Sequence, residues 1–174
     1  MVAPIEVRDD LQIVPASSTI TRPADTTAYA SGDLVANSVT ASAVNALSFS
    51  APRDHGGKGY VFGARIQKST NSATNAAFRL HLFTVTPTFT SAGDNSAMST
   101  VVVATDKGYL GYVDIEAMTG FSAVAWGVGA VDNSRGLVPF VSSATVIYGV
   151  LEARGAYTPG SAEVFTVALF VSRM

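Results

Sequence analysis

Runs rich in valine, isoleucine and threonine are broken every ten to fifteen residues by clusters of glycine, serine and asparagine, and this rhythm constrains the chain more than any single motif does. Short apolar runs separated by turn residues read as β-strands. The segments that fit are 19–22, 28–36, 46–50, 60–68, 76–84, 109–115, 122–128, 137–140, 146–153 and 164–172. No stretch has a convincing helical period. The expectation is therefore all-β: a two-sheet antiparallel β-sandwich, with a jelly roll as the best guess at its topology. Residues 96–104 read equally as a short helical turn or as loop.

The chain has 174 residues, enough for a single sizeable core. Two segments are expected: an extended N-terminal arm over residues 1–16 and a sandwich domain over residues 17–174. In the arm, Pro4 and Pro15 bracket a weakly alternating stretch that contains the acidic pair Asp9 and Asp10. Such an arm is ordered most simply by a neighbouring subunit, the alternative being that it folds back along its own sheet edge.

Composition narrows the function classes. Charged residues make up 14 % of the chain and apolar residues 48 %, against about 25 % charged in ordinary soluble proteins. A surface with so few charges is expected to be partly covered by other subunits. The eleven basic residues are scattered and the net charge is −2, which argues against a nucleic-acid partner. The N-terminus lacks a basic region followed by a long apolar one, so no signal peptide is expected. The apolar stretches 121–131 and 164–171 fall short of the roughly 18 residues that would announce a transmembrane helix. A product of the cytoplasm, with no membrane partner and no disulfides, is the expectation.

Recognisable chemistry is sparse. Gly56, Gly57, Lys58 and Gly59 resemble part of a phosphate loop, but Lys58 is followed by glycine rather than Ser or Thr, and β-forming residues follow instead of a helix. A glycine-rich turn leading into a strand is the better reading. His55 and His81 have no carboxylates at metal-binding spacing, and the turns 93–96 and 131–136 supply too few oxygens for a calcium loop. The acidic residues, Asp94, Glu152 and Glu163 among them, fall at turns and strand ends and read as solvated. No acid, base or nucleophile can be named, and neither catalysis nor a cofactor is expected.

Two strands carry more information. If 60–68 pairs with 76–84, Arg65, Gln67, Arg79 and His81 share one face, either as a polar binding patch or as the wet side of a sheet. The last strand is apolar at nearly every position from 164 to 171. It is therefore either covered on both faces within the chain or covered on one by a second subunit. Candidate interface residues are Ile5, Val7, Leu11, Ile13 and Val14 of the arm, and Phe165, Val167, Leu169 and Val171 of this strand.

Three stretches, TITRPADTTAYASGDLVANS (19–38), GARIQKSTNSATNAAFRLHLF (63–83) and KGYLGYVDI (107–115), resemble small virion structural proteins of tailed bacteriophages. The resemblance spans roughly residues 19–172 and leaves the arm outside it. It implies a cement or decoration protein on the outside of the capsid, partnered with the major capsid protein and often trimeric. No catalytic residues come with it. A different class, a carbohydrate- or receptor-binding module of a head or tail fibre, would need aromatics beside polar groups; Tyr60, Tyr109, Tyr112, Trp126 and Tyr157 are the candidates. A neck or tail subunit is a third reading.

Overall fold

The computed structural model describes residues 13–50, 57–90, 92–98, 102–103, 108–131, 138–142 and 146–173. Its longest strand, β4 (Gly57–Lys68), organises one sheet. One edge of β4 pairs along its length with β13 (Val164–Arg173), which pairs in turn with β1 (Ile13–Thr21). The other edge of β4 is shared: Gly63 to Lys68 takes β10 (Val124–Ala130), and Gly57 to Val61 takes β11 (Val138–Ser142). A short strand, β9 (Thr119–Phe121), extends the sheet beyond β10.

The second sheet is built on β12 (Ile147–Ala153) and β5 (Phe78–Phe83). Its edges are β8 (Tyr109–Ile115) on one side, and β2 (Leu34–Val35) with β3 (Leu47–Phe49) on the other. A two-stranded ribbon joins β6 (Thr88–Phe89) to β7 (Val102–Val103). Pairing is antiparallel throughout, so the chain is an all-β, two-sheet sandwich. Among the described residues no helix is long and apolar enough to cross a membrane.

Alternation along the strands makes the core. Val61, Ala64 and Ile66 from β4 meet Leu80, Leu82, Val113 and Leu151 of the other sheet in one continuous apolar cluster. The neighbouring positions Leu34, Phe83 and Val150 face the opposite way and form a smaller cluster with Val44, Phe89 and Met98. That second layer covers part of the outer face of the β5–β12 sheet.

The structure corrects several sequence-based expectations. Ile13 to Ala16, assigned above to the arm, belong to β1 and pair with β13. Pro15 is tolerated because β1 is an edge strand, where a missing N–H interrupts no second ladder. Residues 1–12, with Ile5, Val7 and Leu11, lie outside the described residues. Gly57 and Gly59 lie within β4 rather than in a turn before it. A Cβ on Gly59 would stand 2.3 Å from the Ser172 carbonyl oxygen and 2.6 Å from the Phe140 ring, so close packing and not positive φ calls for glycine here. Finally, 28–36 contributes only Leu34 and Val35 to a sheet.

The double apolar pattern of β13 also resolves. Phe165, Val167, Leu169 and Val171 are fully buried in the core of this chain, which removes them as surface available to a partner. Thr166 and Phe170 lie on the other side and are half-buried. β13 sits between β1 and β4 with both edges paired, and on its outer face the Phe170 ring is stacked on Phe62 of β4 at 6.0 Å.

Candidate functional site

The proposed face of Arg65, Gln67, Arg79 and His81 does not exist, because β4 and β5 belong to different sheets. Arg65 lies over the Trp126 ring, 4.8 Å from its centroid, on the outside of the β4 sheet. Arg79 and His81 sit on the outside of the β5 sheet and enter a polar network there. Arg79 makes two bonds to Asp114, Nε to Oδ1 at 2.6 Å and Nη2 to Oδ2 at 2.8 Å, and covers the Tyr112 ring at 3.8 Å. These contacts follow from register, since Arg79 opposes Asp114 and His81 opposes Tyr112.

His81 links two sides of this network. Its Nε2 lies 2.9 Å from Glu152 Oε2, and its Nδ1 lies 3.1 Å from the Tyr109 hydroxyl. Burial lowers the His81 pKa against the opposing pull of Glu152, which favours the neutral ring. With Nε2–H donating to the carboxylate, Nδ1 accepts from the Tyr109 hydroxyl. Glu152 also accepts from Arg154 Nη1 at 3.0 Å.

Beside this network, a groove of about 720 Å³ follows edge strand β8 where it meets β10 and β11. Tyr109, Tyr112, Asp114 and Glu116 line one wall, and Val128, Val131, Val138 and Pro139 the other. Glycines bring the walls together. Gly127 and Gly129 point inward from β10, and a Cβ on Gly129 would stand 2.1 Å from the Asp114 carbonyl oxygen. Gly111, at φ +133°, gives β8 its irregular start near Val138.

Two buried charge networks hold one region of the sandwich. Arg22 donates to Tyr29 (2.8 Å), to the Asp25 carbonyl (2.7 Å) and to Asp94 Oδ2 (3.0 Å). Asp94 Oδ1 accepts from the Tyr29 hydroxyl and from the Ala36 N–H, each at 2.7 Å. In the second network, Lys68 Nζ donates to Glu163 at 3.0 Å and to the Tyr157 hydroxyl at 2.6 Å, and bonds the Ser72 carbonyl. Tyr157 and Thr70 both donate to Glu163. The two networks touch, for the Tyr29 and Tyr157 rings stack at 6.2 Å with 3° between their planes.

The solvated reading of the acids thus fails for Asp94, Glu152 and Glu163, all buried with bonding partners. Sequence position did not reveal this because each has a principal partner far along the chain: Tyr29 lies 65 residues from Asp94, His81 71 from Glu152 and Lys68 95 from Glu163. Of the candidate aromatics, the structure brings Tyr109 and Tyr112 together at the groove, puts Tyr157 in the core, and leaves Tyr60 and Trp126 on the other sheet. His55 and the turn 132–136 lie outside the described residues. Among the described residues no three His, Cys, Asp or Glu side chains are grouped to hold a metal ion. No protein-family model and no curated protein matches the chain.

The stacked tyrosines predict a steep alkaline limit. Burial, reinforced by Asp94 for Tyr29 and by Glu163 for Tyr157, pushes both phenol pKa values well above 10. The unfolded chain ionises them near pH 10 while the folded chain keeps the protons, so stability falls as pH rises through that value. The loss should be about 1.4 kcal/mol per pH unit for each tyrosine. Lys68 opposes it over a limited window, because burial lowers its pKa and folding then releases a proton, but above about pH 10.5 that offset is saturated. Urea unfolding between pH 9 and 11.5 should show this decline, and a Tyr29→Phe variant should shallow it; a flat profile would remove the argument.

Proposed function

We propose that the chain is a non-enzymatic phage virion structural protein of the cement or decoration type, binding the capsid exterior and bridging subunits of the major capsid protein, with a homotrimer as its working form. The observation that carries this reading is the outer face of the β4 sheet. Phe62 stacks on Phe170 at 6.0 Å, Val128 is 66 % exposed and Val141 70 % exposed. Half-buried Trp126 and exposed Pro139 lie on the same side. A chain already poor in charge buries Arg22, Lys68, Asp94, Glu152 and Glu163, leaving fewer charges still to keep its surface apart from a neighbour.

Rigidity fits the same role. A cement protein adds interface area where shell subunits meet, and a sandwich locked in one region by two touching networks of buried ion pairs presents that area in fixed geometry. Strand order also supports a jelly roll. Counting β2 and β3 as one broken strand and leaving aside the short β6, β7, β9 and β11, the sheets run first-eighth-third-sixth and second-seventh-fourth-fifth.

The test is the mass of the purified chain in solution, with co-sedimentation on capsids that lack it. The full chain should be trimeric and bind. Val128→Lys with Val141→Lys should abolish binding without lowering the Tm, both side chains being exposed. A truncation to probe the arm should begin at Ile13, so that β1 is kept whole. A monomer that ignores shells would overturn the proposal.

A further inference from the structure

We infer that the groove along β8 is a binding site for a neutral saccharide, a reading that goes beyond the capsid role and shares Val128 and Pro139 with the face proposed for it. Its volume, about 720 Å³, lies within the roughly 300–1,000 Å³ of small-molecule sites. Its two walls differ in kind. Tyr109, Tyr112, Asp114 and Glu116 offer ring faces and carboxylate oxygens, while Val128 and Pro139 offer apolar surface. A pyranose has the matching duality, with C–H faces for aromatic and aliphatic contact and hydroxyls that donate to carboxylates.

The polar wall is built before any ligand arrives. Tyr109, 43 % exposed, packs on Phe83 with centroids 5.3 Å apart and is tied through its hydroxyl to His81, itself anchored by Glu152. Tyr112 is backed by Arg79. Asp114 is fixed by its two bonds to Arg79, and a carboxylate so held keeps lone pairs for further donors. Locked rotamers reduce the entropy lost on binding.

Charge selects within the class. Two carboxylates at the groove disfavour uronic or sialic acids, while Arg79 already compensates Asp114, which leaves Glu116 as a weak lure for a cationic peptide. A neutral saccharide suffers from neither limit. Arg79, His81 and Glu152 act as positioning residues behind the tyrosines.

The experiment is an NMR titration of the intact chain with maltotetraose, cellotetraose, mannotetraose and chitotetraose, with sialyllactose and trilysine run alongside. At least one neutral saccharide should give saturable shifts centred on residues 109–116, and Tyr109→Ala should weaken it by about tenfold. Because Tyr109 also supports Phe83, Glu116→Gln serves as a second variant: its side chain is exposed, and it should weaken the same saccharide while leaving the Tm unchanged. Overturning results are the absence of shifts at residues 109–116 with any of the four neutral saccharides, shifts produced by trilysine or sialyllactose alone, or undiminished saccharide affinity in both variants.

Discussion

Gly129→Ala should cost at least about 3 kcal/mol, the upper end of what overpacking usually does. The new Cβ would stand 2.1 Å from the Asp114 carbonyl oxygen and 2.8 Å from its carbon, and both are backbone atoms that cannot rotate away. Relief requires β10 and β8 to separate, which opens the sandwich where these two strands face each other across it. Gly127→Ala is the informative comparison. There the nearest atoms are the Ile115 Cγ2 at 2.6 Å and the Met118 Cγ at 3.0 Å, both side-chain atoms, with the nearest backbone atom, the Ala117 carbonyl oxygen, at 3.1 Å, so the cost should be smaller. For a chain of this length the Gly129 variant should melt at least about 6 °C lower. Thermal melts of Gly129→Ala, Gly127→Ala and the exposed Val128→Ala should fall in that order, Val128→Ala nearest the parent. A Gly129 variant as stable as the parent would show that β8 and β10 are not in this contact.

That contact also shows what the sequence made legible. Alternating glycines in VAWGVGA are a period-2 signal, and they mark the inward face of a strand approached closely by another backbone. The signal was available but could not name the approaching strand, because β8 is a neighbour across the sandwich and not in the ladder. Tyr109–Ile115 was readable to the residue, since Tyr, Val and Ile mark its run and turns bound it. Pairing was not: Arg65 and Arg79 look alike in sequence, and only the nonlocal choice of β13 for β4 and β12 for β5 sends them to different sheets. The inward parity of β13 was equally hidden, because a strand apolar at nearly every position carries no alternation to read. Half of the groove follows the same division. The tyrosines were recognisable as ring faces, while the opposite wall of Val128 and Pro139 is brought to them by the fold.

Glu163→Ala should be among the most damaging single substitutions in the chain, costing about 3–5 kcal/mol, and its rescue should distinguish a charge effect from a packing effect. Lys68 and Glu163 both have fully buried side chains, and each ion is tolerable because the other, with Tyr157, Thr70 and the Ser72 carbonyl, satisfies it. Removing the carboxylate leaves an ammonium in the core beside a tyrosine hydroxyl that has lost its acceptor. The chain must then bury an unpaired charge or neutralise Lys68, and either route draws on a total stability of only about 5–15 kcal/mol. Lys68→Met combined with Glu163→Gln removes both charges together. The glutamine oxygen can still accept from Tyr157 or Thr70, and the Ser72 carbonyl belongs to an exposed residue where water can serve it. The double variant should therefore recover most of the lost stability, in keeping with buried pairs that are replaceable together but not singly. Urea unfolding of Lys68→Met, Glu163→Gln, Glu163→Ala and the double variant at neutral pH makes the comparison. If the Lys68→Met and Glu163→Gln costs simply add in the double variant, the two residues are not coupled, and the buried ion pair is not what holds β4 to the start of β13.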